Sequence, residues 1–180
     1  MQLTICPLTP DLWPAFADLF GDKGACTGCW CMYWRVGAAY RKRPLEENKA
    51  AFRKIVNQGP PPGLIAFDGD VAVGWCQLTS RDALPWLDYS WRLRRVDAVP
   101  VRSLSCFYVR IGYRKRGITS ALIKAAIKAA KRSQGPGPRS LSVRRGQNAQ
   151  RFRHRVRDDI RTRGVQNCCL PRAVATDHAP

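Results

Sequence analysis

Residues 103–131 constrain this chain more than any other stretch. Ser103-Leu104-Ser105-Cys106-Phe107-Tyr108-Val109 is an apolar run of strand length, and residues 118–131 carry Ile118, Leu122, Ala125, Ala126 and Ala129 as a stripe at helical period, with Lys124, Lys128 and Lys131 off it. Between them lies a basic turn, Arg110-Ile111-Gly112-Tyr113-Arg114-Lys115-Arg116-Gly117. A helix's first turn presents unpaired backbone N–H groups and the positive end of the macrodipole. A turn feeding such a helix can cradle a diphosphate with main-chain donors. Gly117 admits close backbone approach, and Arg114, Lys115 and Arg116 add charge-assisted contacts. The segment therefore predicts an anion site suited to a pyrophosphate. It contains neither Gly-x-x-x-x-Gly-Lys-Ser/Thr nor Gly-x-Gly-x-x-Gly, which argues against a nucleotide-hydrolysing loop and a dinucleotide fold.

The preceding chain supplies a sheet and its cover. Residues 3–7 read as a first strand. Thr9-Pro10-Asp11 reads as a helix start with a hydroxyl cap, followed by Leu12, Phe16, Leu19 and Phe20 and stopped at Gly21. A second helix is expected to start at Arg43-Pro44 and stop before Gly59, with Glu46 and Glu47 in its first turn and Leu45, Phe52 and Ile55 on its buried side. After the stiff Gly59-Pro60-Pro61-Pro62-Gly63 connector, residues 64–67 and 71–78 form a hairpin about Asp68-Gly69-Asp70, with Gly74 marking a bulge or a close backbone approach. The order β-α-α-β-β-β-α predicts an α+β fold, a mixed sheet flanked by helices.

Arg114-Lys115-Arg116-Gly117-Ile118-Thr119 resembles the Arg/Gln-x-x-Gly-x-Gly/Ala signature of the GNAT superfamily of N-acetyltransferases. Residues 105–109 look like that family's fourth strand and residues 63–78 like its second and third, so the resemblance spans residues 3–132. It implies a mostly antiparallel sheet and acetyl-CoA as cofactor. Main-chain groups of Phe107, Tyr108 and Val109 would pair with the pantetheine arm, and the amides of Arg114, Lys115, Arg116, Gly117, Ile118, Thr119 and Ser120 would hold the pyrophosphate. Thr119 stands where the family has a small Gly or Ala, which implies lowered affinity. The implied reaction is direct acetyl transfer to an amine of a small molecule or a protein, with a strand amide polarising the thioester and a carboxylate taking the amine proton through water. A tyrosine beyond the fifth strand usually protonates the leaving thiolate in this family. No tyrosine follows Tyr113, so the catalytic acid and base are not legible here.

Cys26-Thr27-Gly28-Cys29-Trp30-Cys31-Met32-Tyr33-Trp34-Arg35 admits three readings. Cys26 and Cys29 have zinc-knuckle spacing, but a closed site needs four ligands. His154 and His178, the only histidines, lie far along the chain, so no metal is expected. In the resembling family this segment lines the acceptor pocket, which would make Trp30, Tyr33 and Trp34 an apolar substrate-binding wall. The alternative is aromatic packing beneath a loop, with inert thiols.

Composition changes near Arg132. Residues 1–132 carry 21 Lys and Arg against 10 Asp and Glu, and 16 of the 17 aromatic residues. Residues 133–180 carry 10 Arg and 3 Asp, with Phe152 as the one aromatic residue, and can bury little apolar surface. We therefore divide the chain into a 1–132 acetyl-CoA-binding core and a basic 133–180 segment. That segment reads as a nucleic-acid-binding tail, a solvated extension, or out-of-frame translation of a GC-rich gene. Residues 139–143 make a poor fifth strand, and Ala149, Phe152, Val156 and Ile160 a thin helical stripe. If the segment is aberrant, cofactor binding with impaired or absent turnover is expected. The net charge of +18 keeps a nucleic-acid-binding protein as the rival, alongside an inactive CoA-binding relic, although no nucleic-acid-binding motif accompanies the charge. No run reaches membrane-spanning length, the N-terminus does not read as a signal peptide, and the eight cysteines fit reduced thiols. A cytoplasmic monomer or homodimer is the expectation.

Overall fold

The computed structural model describes residues 2–25 and 27–132. The strand expected at 139–143, the stripe at 149–160, both histidines and Cys26 lie outside these residues. Eight main elements follow one another: β1 (Leu3–Pro7), α1 (Trp13–Phe20), α2 (Tyr33–Val36), α3 (Leu45–Gln58), β2 (Gly63–Asp68), β3 (Val71–Ser80), β4 (Arg102–Val109) and α4 (Ile118–Arg132). The four strands form one antiparallel sheet in the order β1-β2-β3-β4. This is the α+β architecture expected from the element order.

Period-two alternation sorts the strands between two cores. Ile65, Ala72 and Trp75 face Phe16, Phe52 and Trp30 beneath α1 and α3. Leu64, Ala66, Val73, Cys76 and Leu78 face Ile118, Leu122 and Ala126 of α4. The first core is aromatic: Phe16 lies 4.8 Å from Trp75 in an edge contact, 5.4 Å from Phe52 and 4.2 Å from Phe20. Full burial of each such ring contributes roughly 1.5–3 kcal/mol, so this face anchors the sheet.

Several local expectations are corrected. Thr9 makes no side-chain cap, and Pro10–Leu12 is a single 3-10 turn before α1 begins. On α3 the buried stripe is Asn48, Phe52 and Val56, whereas Leu45 stays 41% exposed. Asn48 wins its place by donating from Nδ2 to the carbonyls of Gly28 at 3.0 Å and Tyr40 at 2.8 Å, which pins the 27–40 segment to α3. Gly74 is both things expected of it. Val73 is the extra residue of a bulge, since Ala66 pairs with Gly74 and Phe67 with Ala72, and a Cβ on Gly74 would stand 2.6 Å from Ile118 Cγ2. The missing side chain lets the first turn of α4 lie against the sheet.

Candidate active site

The turn from β4 to α4 is built to leave its amides free. Arg110 donates from N–H to the Val73 carbonyl at 3.0 Å and from Nε to that of Ala72 at 2.7 Å, and its Nη2 pairs with Asp18 on α1. Tyr113 N–H closes the turn on the Arg110 carbonyl at 3.0 Å. The chain then enters the left-handed region at Lys115 (φ 63°) and Gly117 (φ 80°), and the first helical rung runs from Ala121 N–H to the Gly117 carbonyl at 3.0 Å. Upstream of that rung, no N–H of residues 115–120 has an acceptor among the described residues. A Cβ on Gly117 would meet nothing within 4 Å, so the glycine serves the backbone conformation and the space before it is open. Arg114, Lys115 and Arg116 are exposed around this mouth, and the Arg116 guanidinium lies 5.2 Å from the Tyr113 ring centre. Ile118 is buried beneath and fixes the helix, while Thr119 is half-buried and Ser120 exposed. Unsatisfied donors, a helix's positive end, open space and three cations fit a phosphorylated cofactor.

Upstream, Phe107, Tyr108 and Val109 lie on β4, which is an edge strand among the described residues. Cys76 pairs with Phe107 and Gln77 with Ser105, so Cys106 is an extra residue bulged out of the ladder, at φ 50°. Sequence reasoning missed this feature. Most bulges that need a positive φ use glycine, and a cysteine gives no such signal. The side chain of Cys106 points to the α1 side, into a small apolar cavity lined by Phe20, Cys29, Cys31, Trp75, Cys106 and Tyr108.

The 27–31 loop aims Cys31 at the same cavity by adopting left-handed conformations at Thr27 (φ 42°), Trp30 (φ 43°) and Cys31 (φ 58°), an uncommon cluster for non-glycine residues. Trp75 Nε1–H donates to Cys31 Sγ at 3.1 Å. Arg35, from α2, reaches the Ala83 carbonyl with Nη1 at 3.1 Å, while its buried Nε has no partner among the described residues. Burial lowers the pKa of this guanidinium, and the nearby Cys31 and Cys106 sulfurs oppose that shift. Cys106 is correspondingly more acidic than an ordinary thiol: a hydrogen bond from Cys31 leads, burial opposes, and Ser105 and Arg35 assist. Cys76, buried under α4, is pushed up to about 12 by desolvation, which a hydrogen bond with the Leu64 backbone only partly offsets.

Of the expected acceptor wall, Trp30 is fully buried, packed between Trp13 at 6.1 Å and Phe20 at 5.5 Å, so it belongs to the core. Tyr33 and Trp34 are half-buried and meet edge-on at 4.8 Å. Among the described residues no group of three or more metal-ligating side chains converges.

The sheet-edge strand β4 thus bulges beside a small cavity and then runs into a helix mouth whose amides have no acceptor among the described residues. The profile of the Acetyltransferase (GNAT) family matches residues 29–155, and the chain belongs to that family. Its reaction class is acetyl-CoA-dependent N-acetyl transfer. The match continues past the compositional change at Arg132. Among solved structures, the chain is similar to the aminoglycoside N-acetyltransferase AAC(6')-Iy in complex with the bisubstrate analogue CoA-S-monomethyl-acetylneamine, at 17% identity, 96% of this chain, 99% of that chain and a TM-score of 0.50. It is also similar to the aminoglycoside 6'-N-acetyltransferase AAC(6')-Ih from Acinetobacter baumannii, at 14% identity, 99% of each chain and a TM-score of 0.48. No curated protein matches the chain. No helix among the described residues is long and apolar enough to cross a membrane.

Proposed function

We propose that the chain binds acetyl-CoA at the 114–120 turn and transfers its acetyl group to an amine of a small molecule or a protein, with residues 1–132 forming the cofactor-binding core. The observation that carries this reading is the row of amides from Lys115 to Ser120 at the mouth of α4, which have no acceptor among the described residues and open on free space at Gly117. In this reading those amides hold the pyrophosphate, Arg114, Lys115 and Arg116 screen its charge, and the edge of β4 at Phe107, Tyr108 and Val109 pairs with the pantetheine arm. Acetyl-CoA supplies the acetyl group as an activated thioester. Holding donor and acceptor together supplies much of the rate.

The acceptor approaches from the α1 and α2 side, past Tyr33 and Trp34. The small cavity on the α1 side of β4 has an apolar lining with no carboxylate, and half-buried Arg35 stands near its Cys31 and Cys106 sulfurs. Such a surface suits an amine carried on an apolar body better than a polycation, which would find no counter-charge in the lining. Equilibrium titration of the full chain with CoA tests the reading. Gly117→Glu places a carboxylate and a strained backbone at the cradle and should abolish binding. Undiminished binding by that variant would refute the assignment. An acceptor panel with tryptamine and spermidine should favour tryptamine, and the reverse preference would overturn the acceptor reading.

A further inference from the structure

Three cysteines converge outside the phosphate cradle. Cys29 and Cys31 from the 27–31 loop and Cys106 from the β4 bulge line the small cavity on the α1 side of the sheet, with Phe20, Trp75 and Tyr108 around them. Cys31 and Cys106 both stand in left-handed backbone, at φ 58° and φ 50°, a conformation far commoner in glycine than in cysteine. These two conformations bring thiols from separate segments of the chain within hydrogen-bond reach of each other. Trp75 Nε1–H holds Cys31 Sγ at 3.1 Å, so one member of the pair is fixed in place. Cys31 is buried and Cys106 half-buried, and the Arg35 guanidinium stands near both sulfurs. A neighbouring cation favours the thiolate, which is the reactive form. None of the described cysteines is in a disulfide.

We propose that Cys31 and Cys106 are an oxidation site, joined into a disulfide by hydrogen peroxide, and that this bond lowers the affinity for CoA. Cys106, the more exposed of the two, reacts first. Its sulfur bonds to one peroxide oxygen, the O–O bond breaks, and the departing hydroxide takes the Cys106 proton to become water, leaving a sulfenic acid. Cys31 Sγ then bonds to Cys106 Sγ, the S–O bond breaks, and the second hydroxide takes the Cys31 proton to become water. The two thiols together lose two electrons, and one peroxide is reduced to two waters. The product ties the 27–31 loop covalently to the residue that immediately precedes the 107–109 stretch assigned above to the pantetheine arm. The tie draws the bulge towards α1 and disturbs the pairing of Phe107 with Cys76, while the 115–120 amides lie beyond its reach. The effect on CoA rests on the reading that CoA binds at the 114–120 turn; the disulfide itself does not. Cys29 lines the same cavity and is the nearest competing thiol, whereas Cys76 lies on the opposite face beneath α4.

The test treats the full, reduced chain with hydrogen peroxide, alkylates the remaining thiols and sequences the tryptic peptides by mass spectrometry. Affinities for CoA and for inorganic pyrophosphate are titrated before treatment, after it, and again after dithiothreitol. The expected product joins the peptides of residues 24–35 and 103–110 through Cys31 and Cys106. Cys31→Ser should lose this link and Cys29→Ser should keep it. Oxidation should weaken CoA binding by about tenfold, within the usual range of coupling between sites, with recovery in dithiothreitol and no change for pyrophosphate. Cys31→Ser should keep its CoA affinity in peroxide. Cys106 recovered alkylated, or linked to Cys29 or to any other cysteine, overturns the pair. The expected link with unchanged CoA affinity, or an equal loss of affinity in Cys31→Ser, overturns its effect on the cofactor. A reduced chain that binds no CoA overturns the cofactor reading and that effect together, and the mass spectrum still decides the disulfide.

Discussion

Gly74→Ala tests how the sheet positions the cofactor cradle. The position has no positive φ, so the substitution adds no backbone strain and acts through its methyl group alone. That methyl would stand 2.6 Å from Ile118 Cγ2 and 3.3 Å from Leu122 Cδ1, with Ile118 and Leu122 both buried. The first contact is far inside van der Waals distance, so the start of α4 must move outward or Ile118 must leave its rotamer. Overpacking of this kind costs about 1–3 kcal/mol. Ile118→Ala alone removes a buried side chain and costs roughly 2–5 kcal/mol. In the double variant the added methyl occupies space the isoleucine vacated, so the loss should fall short of the sum by about 1–2 kcal/mol. Urea unfolding of the four proteins measures this. Because the same turn carries the amides of Ile118, Thr119 and Ser120, Gly74→Ala should also weaken CoA binding by up to about tenfold, near 1.4 kcal/mol. Strict additivity, or a Gly74→Ala protein as stable as the parent with unchanged CoA affinity, would refute the claim that the bare backbone at Gly74 seats the helix mouth.

Three further outcomes follow from the same structure. Asn48→Leu removes the donor to the buried Gly28 and Tyr40 carbonyls and should destabilise the protein by about 2 kcal/mol, measured by urea unfolding. Gly117→Ala adds a methyl into open space at φ 80°, so its cost of roughly 1–2 kcal/mol should come from backbone strain and appear as a lowered melting temperature even without CoA. Cys76 has its folded pKa raised from 9.0 to about 12, so the folded protein holds this proton where the unfolded chain has released it. Its contribution is complete below pH 9.0 and is lost as pH rises towards 12; the alkaline fall in stability should be shallower in Cys76→Val.

Much of this was legible where one physical signal dominated. The α4 stripe, the Gly69 hairpin and the strand feeding the basic turn each follow from periodicity or from a residue that alone fits a backbone conformation. The order of elements follows in turn. Where a tertiary contact overrode the local pattern, sequence reading failed. Leu45 fits the apolar face of α3 by spacing, yet Asn48 takes the buried place because two carbonyls from the 27–40 segment need its amide. Trp30 reads equally well as a pocket wall or as core, and its burial is decided by Trp13 and Phe20 from another helix. The Cys106 bulge and the convergence of Cys31 and Arg35 upon it depend on unusual φ values at residues that seldom adopt them, so no composition or spacing rule reveals them.

The central claim is that the turn into α4 offers its amides to a phosphate linker. Backbone amide shifts of the 15N-labelled full chain, followed during titration with CoA and separately with inorganic pyrophosphate, test it most directly. The account predicts that both ligands move the amides of residues 115–120 most, with the Phe107 to Val109 amides responding to CoA alone. Large shifts confined to other parts of the chain, with residues 115–120 unmoved at saturation, would contradict it.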